Sequence, residues 1–180
     1  MKLMYFPRII NRMIITWFGC GRVPLAPGTA GSIGALPLCW LMSQHASLLT
    51  RMIFALGITA IAILGSAQDQ KEATVKDPQY IVVDEVAGML WTTLLIPAKW
   101  QPMLIGFVLF RIFDVLKPYP ANLFDRRSKT SPSWFRRGAH IVLDDVIAGF
   151  YSLLVLSFIQ YFALHFDSSL SDLIKTTFAL

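Results

Sequence analysis

The sequence predicts an all-α fold, an integral membrane helical bundle of about five membrane-embedded helices with an N-terminal interfacial segment. Three observations carry that expectation. The chain has 180 residues, 55% of them hydrophobic, with a mean hydropathy of +0.56, which is more apolar surface than a soluble domain of this length needs. Charged residues make up only 15% and gather in short segments between apolar runs. The basic ones fall almost entirely on one side of those runs. No low-complexity stretch, internal repeat or long linker divides the chain, so residues 1–180 read as one membrane-embedded domain.

The first segment, MKLMYFPRIINRMIITWFG, has Arg8 and Arg12 inside its apolar run and lacks a small-residue cleavage site. It reads as an amphipathic segment on the membrane surface, with Lys2, Arg8 and Arg12 near lipid headgroups. Five apolar stretches follow, at residues 33–49, 52–67, 83–97, 103–116 and 141–162. The second is uninterrupted. The third and fourth are shorter than the roughly 20 residues of an upright span. They need flanking residues, a locally thinned bilayer or shelter from their neighbours. Arg51 lies in a tight turn, so the first two stretches form a close hairpin. Past His165, the spacing of Leu170, Leu173 and Ile174 suits a short amphipathic helix.

Charge fixes an orientation for this drawing. With a cytoplasmic N-terminus and five spans, the inner side holds Lys2, Arg8, Arg12, Arg22, Lys71, Lys76, Arg111, Lys117, Arg126, Arg127, Lys129, Arg136 and Arg137. The outer side holds Arg51, Lys99 and Lys175, so thirteen of the sixteen basic residues are inside. The net charge of +5 is therefore a topology signal, and nucleic acid is not an expected partner. Cys20 and Cys39 lack metal-ligand spacing and read as ordinary thiols.

Four polar segments fall on that same inner side. In GCGRVPLAPGTAGSIG, residues 19–34, Pro24, Pro27 and Gly28 force a loop and a helix starts near Thr29 or Ser32. Ser and Thr cap helices well. A helix N-terminus after such a loop also offers backbone N–H groups to an anion. The residues leave both readings open. In KDPQYIVVDEVAGM, residues 76–89, Asp77-Pro78 ends a loop and Asp84 and Glu85 open the third apolar run. A helix cap needs one carboxylate, and this segment has two among valines. In FRIFDVLKPYPAN, residues 110–122, Arg111, Asp114 and Lys117 share a helix face before Pro118 and Pro120 end the helix. An Arg111–Asp114 ion pair would offset burial but leaves Lys117 without a purpose. In RRGAHIVLDDVIAGF, residues 136–150, Asp144 and Asp145 lie in the first turns of the last run. Gly88 and Gly149 are small enough for close helix approach. A lone interfacial His140 reads as merely polar.

Five carboxylates at three helix ends, facing one side, suggest a hard divalent cation. Oxygen ligands suit Mg²⁺, which also binds substrate phosphate. Nearby Arg and Lys would take phosphate oxygens that the metal does not reach. Such a set fits phosphoryl chemistry on a lipid headgroup, with direct attack of a metal-activated water on phosphorus. An Asp nucleophile forming an acyl phosphate is an open variant.

These residues carry a family resemblance. The segments GCGRVPLAPGTAGS, DPQYIVVDEVAGM, FRIFDVLKPYPANLFDRR and LDDVIAG, in that order from about residue 19 to residue 150, resemble phosphatidylglycerophosphatase A. The resemblance implies Mg²⁺-dependent hydrolysis of phosphatidylglycerol phosphate to phosphatidylglycerol and phosphate. It implies a multi-pass protein of the bacterial inner membrane with a cytoplasm-facing site. It also implies Asp84, Glu85, Asp114, Asp144 and Asp145 as acidic site residues, with Thr29, Ser32, Arg111 and Lys117 on the substrate side; catalytic and metal-ligand roles for the five acids follow from their chemistry, and the match does not divide those roles among them. The segment SKTSPSWFRR departs from the short Gly-rich link of the family. The rival class is a small membrane transporter or channel subunit with a carboxylate-lined ion site, because intramembrane acids also mark ion paths. A path would place acids near mid-membrane, whereas these gather at one face. A non-catalytic scaffold would tolerate loss of all five.

Overall fold

With no water to satisfy the backbone, apolar runs fold as helices. The computed structural model describes residues 6–72, 78–165 and 169–178, and among these every regular element is helical. Lys2, Lys76 and Asp77 lie outside the described residues. The α-helices are α1 (Arg8–Ile15), α2 (Pro27–His45), α3 (Leu48–Glu72), α4 (Val83–Thr92), α5 (Trp100–Leu116), α6 (Ala121–Thr130), α7 (Trp134–His165) and α8 (Ser169–Phe178). A single 3₁₀ turn, Cys20–Arg22, precedes α2.

Two helices are long and apolar enough to cross a bilayer, α3 over Leu48–Lys71 and α7 over Trp134–Phe162. The third predicted stretch behaves differently. It yields only the ten residues of α4, and all of them except Glu85 are buried in protein. At 1.5 Å per residue such a helix covers about half of a hydrocarbon core. Its apolar sequence thus serves packing on every side, which hydropathy alone does not distinguish from contact with lipid.

α7 is the axis of the bundle, packed against α3, α4, α5, α6 and α8. Its closest approach to α4 depends on two glycines. A Cβ on Gly149 would stand 2.4 Å from the carbonyl oxygen of Gly88, and one on Gly88 would stand 2.4 Å from the Phe110 ring. No side chain fits there without moving backbone. α7 also begins seven residues before the predicted stretch. Asp144 and Asp145 consequently sit about three turns inside the helix, not in its first turns.

α2 begins earlier than expected too. Pro27 occupies its first turn, where a fixed φ and a missing N–H are both suitable. Thr29 and Ser32 therefore lie inside the helix and no side chain caps it. Ser32 is buried, its hydroxyl donating to the Gly28 carbonyl at 2.9 Å. α1 forms the amphipathic N-terminal helix, with Ile9 exposed and Asn11 and Ile15 buried. The predicted C-terminal helix forms as α8.

Candidate active site

Three helices deliver the acids to one place. α4 brings Asp84 and Glu85 in its first turn, α5 brings Asp114 near its end, and α7 brings Asp144 and Asp145 from its interior. All five line a cavity of about 560 Å³, together with Gly28, Thr29, Arg111, Lys117 and Lys129. Of the nine residues expected at the site, only Ser32 lies off this wall, buried below it. Asp84, Asp144 and Asp145 are 8%, 5% and 4% exposed, so their charges are largely removed from solvent.

The acids divide by partner. Arg111 Nη1 lies 2.8 Å from Asp114 Oδ2. Lys117 Nζ lies 2.5 Å from Asp144 Oδ2, 2.9 Å from Asp125 Oδ1 and 4.0 Å from Asp114 Oδ1. Lys117 thus gains the purpose that an Arg111–Asp114 pair alone did not give it. It caps α5 with φ of 44°, a left-handed conformation that turns the chain into Pro118. Burial lowers its proton affinity, but the carboxylates of Asp144 and Asp145 and its hydrogen bonds outweigh burial and hold it above its ordinary pKa. Lys117 remains a cation at any physiological pH.

Asp84, Glu85 and Asp145 have no salt bridge among the described residues, and each offers an oxygen within 4.8 Å of the others. Two buried carboxylate oxygens in the cavity, Glu85 Oε2 and Asp144 Oδ1, accept no hydrogen bond from the described residues. Clustered like charges with orphaned acceptors are unfavourable without a compensating cation. The all-oxygen donor set fits a hard divalent ion.

The facing wall is the N-terminus of α2. In its uncapped first turn the N–H groups of Gly28 and Thr29 have no helical acceptor. A Cβ on Gly28 would fall 2.2 Å from Glu85 Oε1 and 3.2 Å from Arg111 Nη1. Glycine thus lets backbone donors approach the acids and Arg111 closely, as an anion site requires.

Sequence reasoning missed Asp125, Lys129 and Leu25. Asp125 on α6 accepts from Lys117 and from Lys129, the latter at 3.0 Å. The i,i+4 spacing of Asp125 and Lys129 on a polar helix was the available signal. Burial raises the Asp125 pKa, but hydrogen bonds from both lysines outweigh it and leave the carboxyl below its usual range. Leu25, 96% exposed, stands on the cavity rim.

The cavity is rich in acids with cationic groups on its walls, in a protein that has two membrane-length helices. The family described as phosphatidylglycerophosphatase A matches residues 13–160. Phosphatidylglycerophosphatase A of Escherichia coli (strain K12) is 37% identical over 150 residues, covering 83% of each chain. Its counterpart in Haemophilus influenzae is 35% identical over 156 residues, 84% of this chain and 90% of that protein. A Bacteroides thetaiotaomicron protein, named as a candidate phosphatidylinositol-3-phosphatase, is 34% identical over 164 residues, 84% of this chain and 94% of its own. No solved structure matches.

The chain belongs to the phosphatidylglycerophosphatase A family and is a phosphatase. Its relatives imply a lipid substrate, and relatives and apolar helices together suggest membrane association.

Proposed function

We propose that residues 1–180 form one membrane-embedded domain that hydrolyses phosphatidylglycerol phosphate to phosphatidylglycerol and inorganic phosphate, with Mg²⁺ as cofactor. The observation that carries this reading is the convergence of five carboxylates from three helices on one cavity that also holds Arg111 and Lys117. The names of the two phosphatidylglycerophosphatase relatives support the substrate. The count of basic residues supports a cytoplasm-facing site in a multi-pass inner-membrane protein. In that arrangement α3 and α7 span, and α4 is sheltered by its neighbours.

Each group then has a role. Gly28 and Thr29 N–H and the Arg111 guanidinium hold phosphoryl oxygens. Asp114 orients Arg111, and Asp144 with Asp125 fixes Lys117 beside the developing charge. Asp84, Glu85 and Asp145 would hold Mg²⁺, which when bound neutralises charge on the phosphoryl oxygens. Hydrolysis breaks the bond between phosphorus and the glycerol oxygen. Water supplies the new oxygen on phosphate and the proton on the leaving alcohol. A transporter is disfavoured, because the five acids gather in one cavity and the named relatives are phosphatases.

The test is phosphate release by the purified protein from phosphatidylglycerol phosphate, phosphatidylinositol 3-phosphate and phosphatidate, with Mg²⁺ or with excess chelator. Release from the first with Mg²⁺, and its loss with chelator, is the expected result. Release from none overturns the function, faster release from the second overturns the substrate, and undiminished release in chelator overturns the cofactor.

A further inference from the structure

Arg111 faces two environments. Its guanidinium lines the polar cavity beside Asp114 and Gly28. It also borders a second hollow of about 420 Å³ on the outer face of α5, formed with Phe107, Val108, Ile112, Val115 and Leu116. A long basic side chain with an apolar stem and charged head suits such a boundary. Val115 and Leu116, 72% and 70% exposed, continue that apolar strip to the end of α5, where Lys117 re-enters the acid cavity. Exposed Leu25 lies on the same cavity's rim, and the Cβ position of Gly28, three residues on, is 3.2 Å from Arg111. Apolar surface and polar cavity therefore meet beside Arg111, between the start of α2 and the last turns of α5.

We propose that this strip is the track for an acyl chain of the substrate, with Arg111 marking the boundary between phosphate and hydrocarbon. The proposal rests on the lipid phosphatase reading and adds where the lipid lies. Continuity with the cavity through Arg111 argues for the substrate's own chain over any other apolar occupant. A phosphomonoester held at Arg111 has its glycerol within reach of the rim, its phosphodiester and diacylglycerol beyond the rim, and an acyl chain folded back along Val108, Ile112 and Val115. Such packing is loose and one-sided. It tethers the lipid without enclosing it, so product leaves sideways into the bilayer.

The experiment compares two substrates in the full-length protein, dioleoyl phosphatidylglycerol phosphate in mixed micelles and water-soluble glycerol 1-phosphate. The variants are Ile112→Trp and Val115→Trp, both at exposed positions, with the folded state checked by thermal melting. The expected result is a KM for the lipid raised about tenfold, the size of losing contact with about two methylene groups, with glycerol 1-phosphate turnover unchanged. Equal changes for both substrates, or no change for the lipid in either folded variant, overturn the track. Failure of the unmodified protein to release phosphate from either substrate overturns the phosphatase reading itself, and the track with it.

Discussion

In the first turn of α3, and not in the preceding turn where the sequence placed it, Arg51 donates to the carbonyls of Met42, Ser43 and Ala46 at the end of α2, and of Leu94 and Ile96 beyond the end of α4. At the other end of α4, Asp84 and Glu85 meet Asp114, Asp144 and Asp145, and among the described residues only two of those five are in salt bridges closer than 3 Å. In one place a charge is met by five carbonyl acceptors at the ends of two helices. In the other, negative charges are concentrated and left short of partners. The first arrangement secures the fold. The second is unfavourable by itself and is tolerable where a cation and a phosphate complete it.

This difference can be broken from either side. The largest expected effect is on turnover. Asp114→Asn should abolish measurable phosphate release, and Asp84→Asn or Asp145→Asn should lower it by about a hundred- to a thousandfold. Asp84→Asn and Asp145→Asn should not lower the melting temperature, since each removes a charge from a crowded site, whereas Asp114→Asn, which loses its pair with Arg111, should melt slightly lower and still fold. Near-normal turnover by Asp114→Asn would overturn its assigned role. Arg51→Met should act in the opposite sense. It leaves carbonyls unpaired and should cost about 3 kcal/mol of stability by denaturant titration, with turnover per folded molecule unchanged.

Cation binding sharpens the comparison without any activity assay. Saturating Mg²⁺ should raise the melting temperature of the unmodified protein by about 4 °C. Asp84→Asn and Asp145→Asn should lose that rise, whereas Arg51→Met, melting lower, should keep it. Gly28→Ala tests the closeness of the α2 turn. Its Cβ would displace Glu85 or Arg111, so turnover should fall about tenfold with little change in melting.

The smallest effect concerns Asp125. Its folded pKa is depressed, so its contribution to stability is complete above its unfolded pKa of about 4 and fades as pH falls through the folded value. Asp125→Asn should therefore be less stable than the unmodified protein at neutral pH. The two should converge in strong acid, as read by melting temperature against pH.

The sequence by itself determined the all-helical class, the identities of the five acids with Arg111 and Lys117, and the glycines at the α4–α7 crossing. Each is visible because it violates the local pattern: charge beside hydrocarbon, or glycine inside an apolar helix. It also carried the family, since four separated segments keep their order.

The tertiary structure decided what an apolar run is for. α4 and α3 look alike by hydropathy, yet α4 is enclosed by protein and α3 is largely exposed, a difference set by neighbours remote in the chain. It also decided that Asp144 lies three turns inside α7 and that Ser32 hydrogen-bonds back into its own helix. The partnership of Lys117 with Asp144 and Asp125 likewise became visible only there. Periodicity reports the environment of one segment, whereas the pairing of buried charges depends on distances between segments, and only packing sets those.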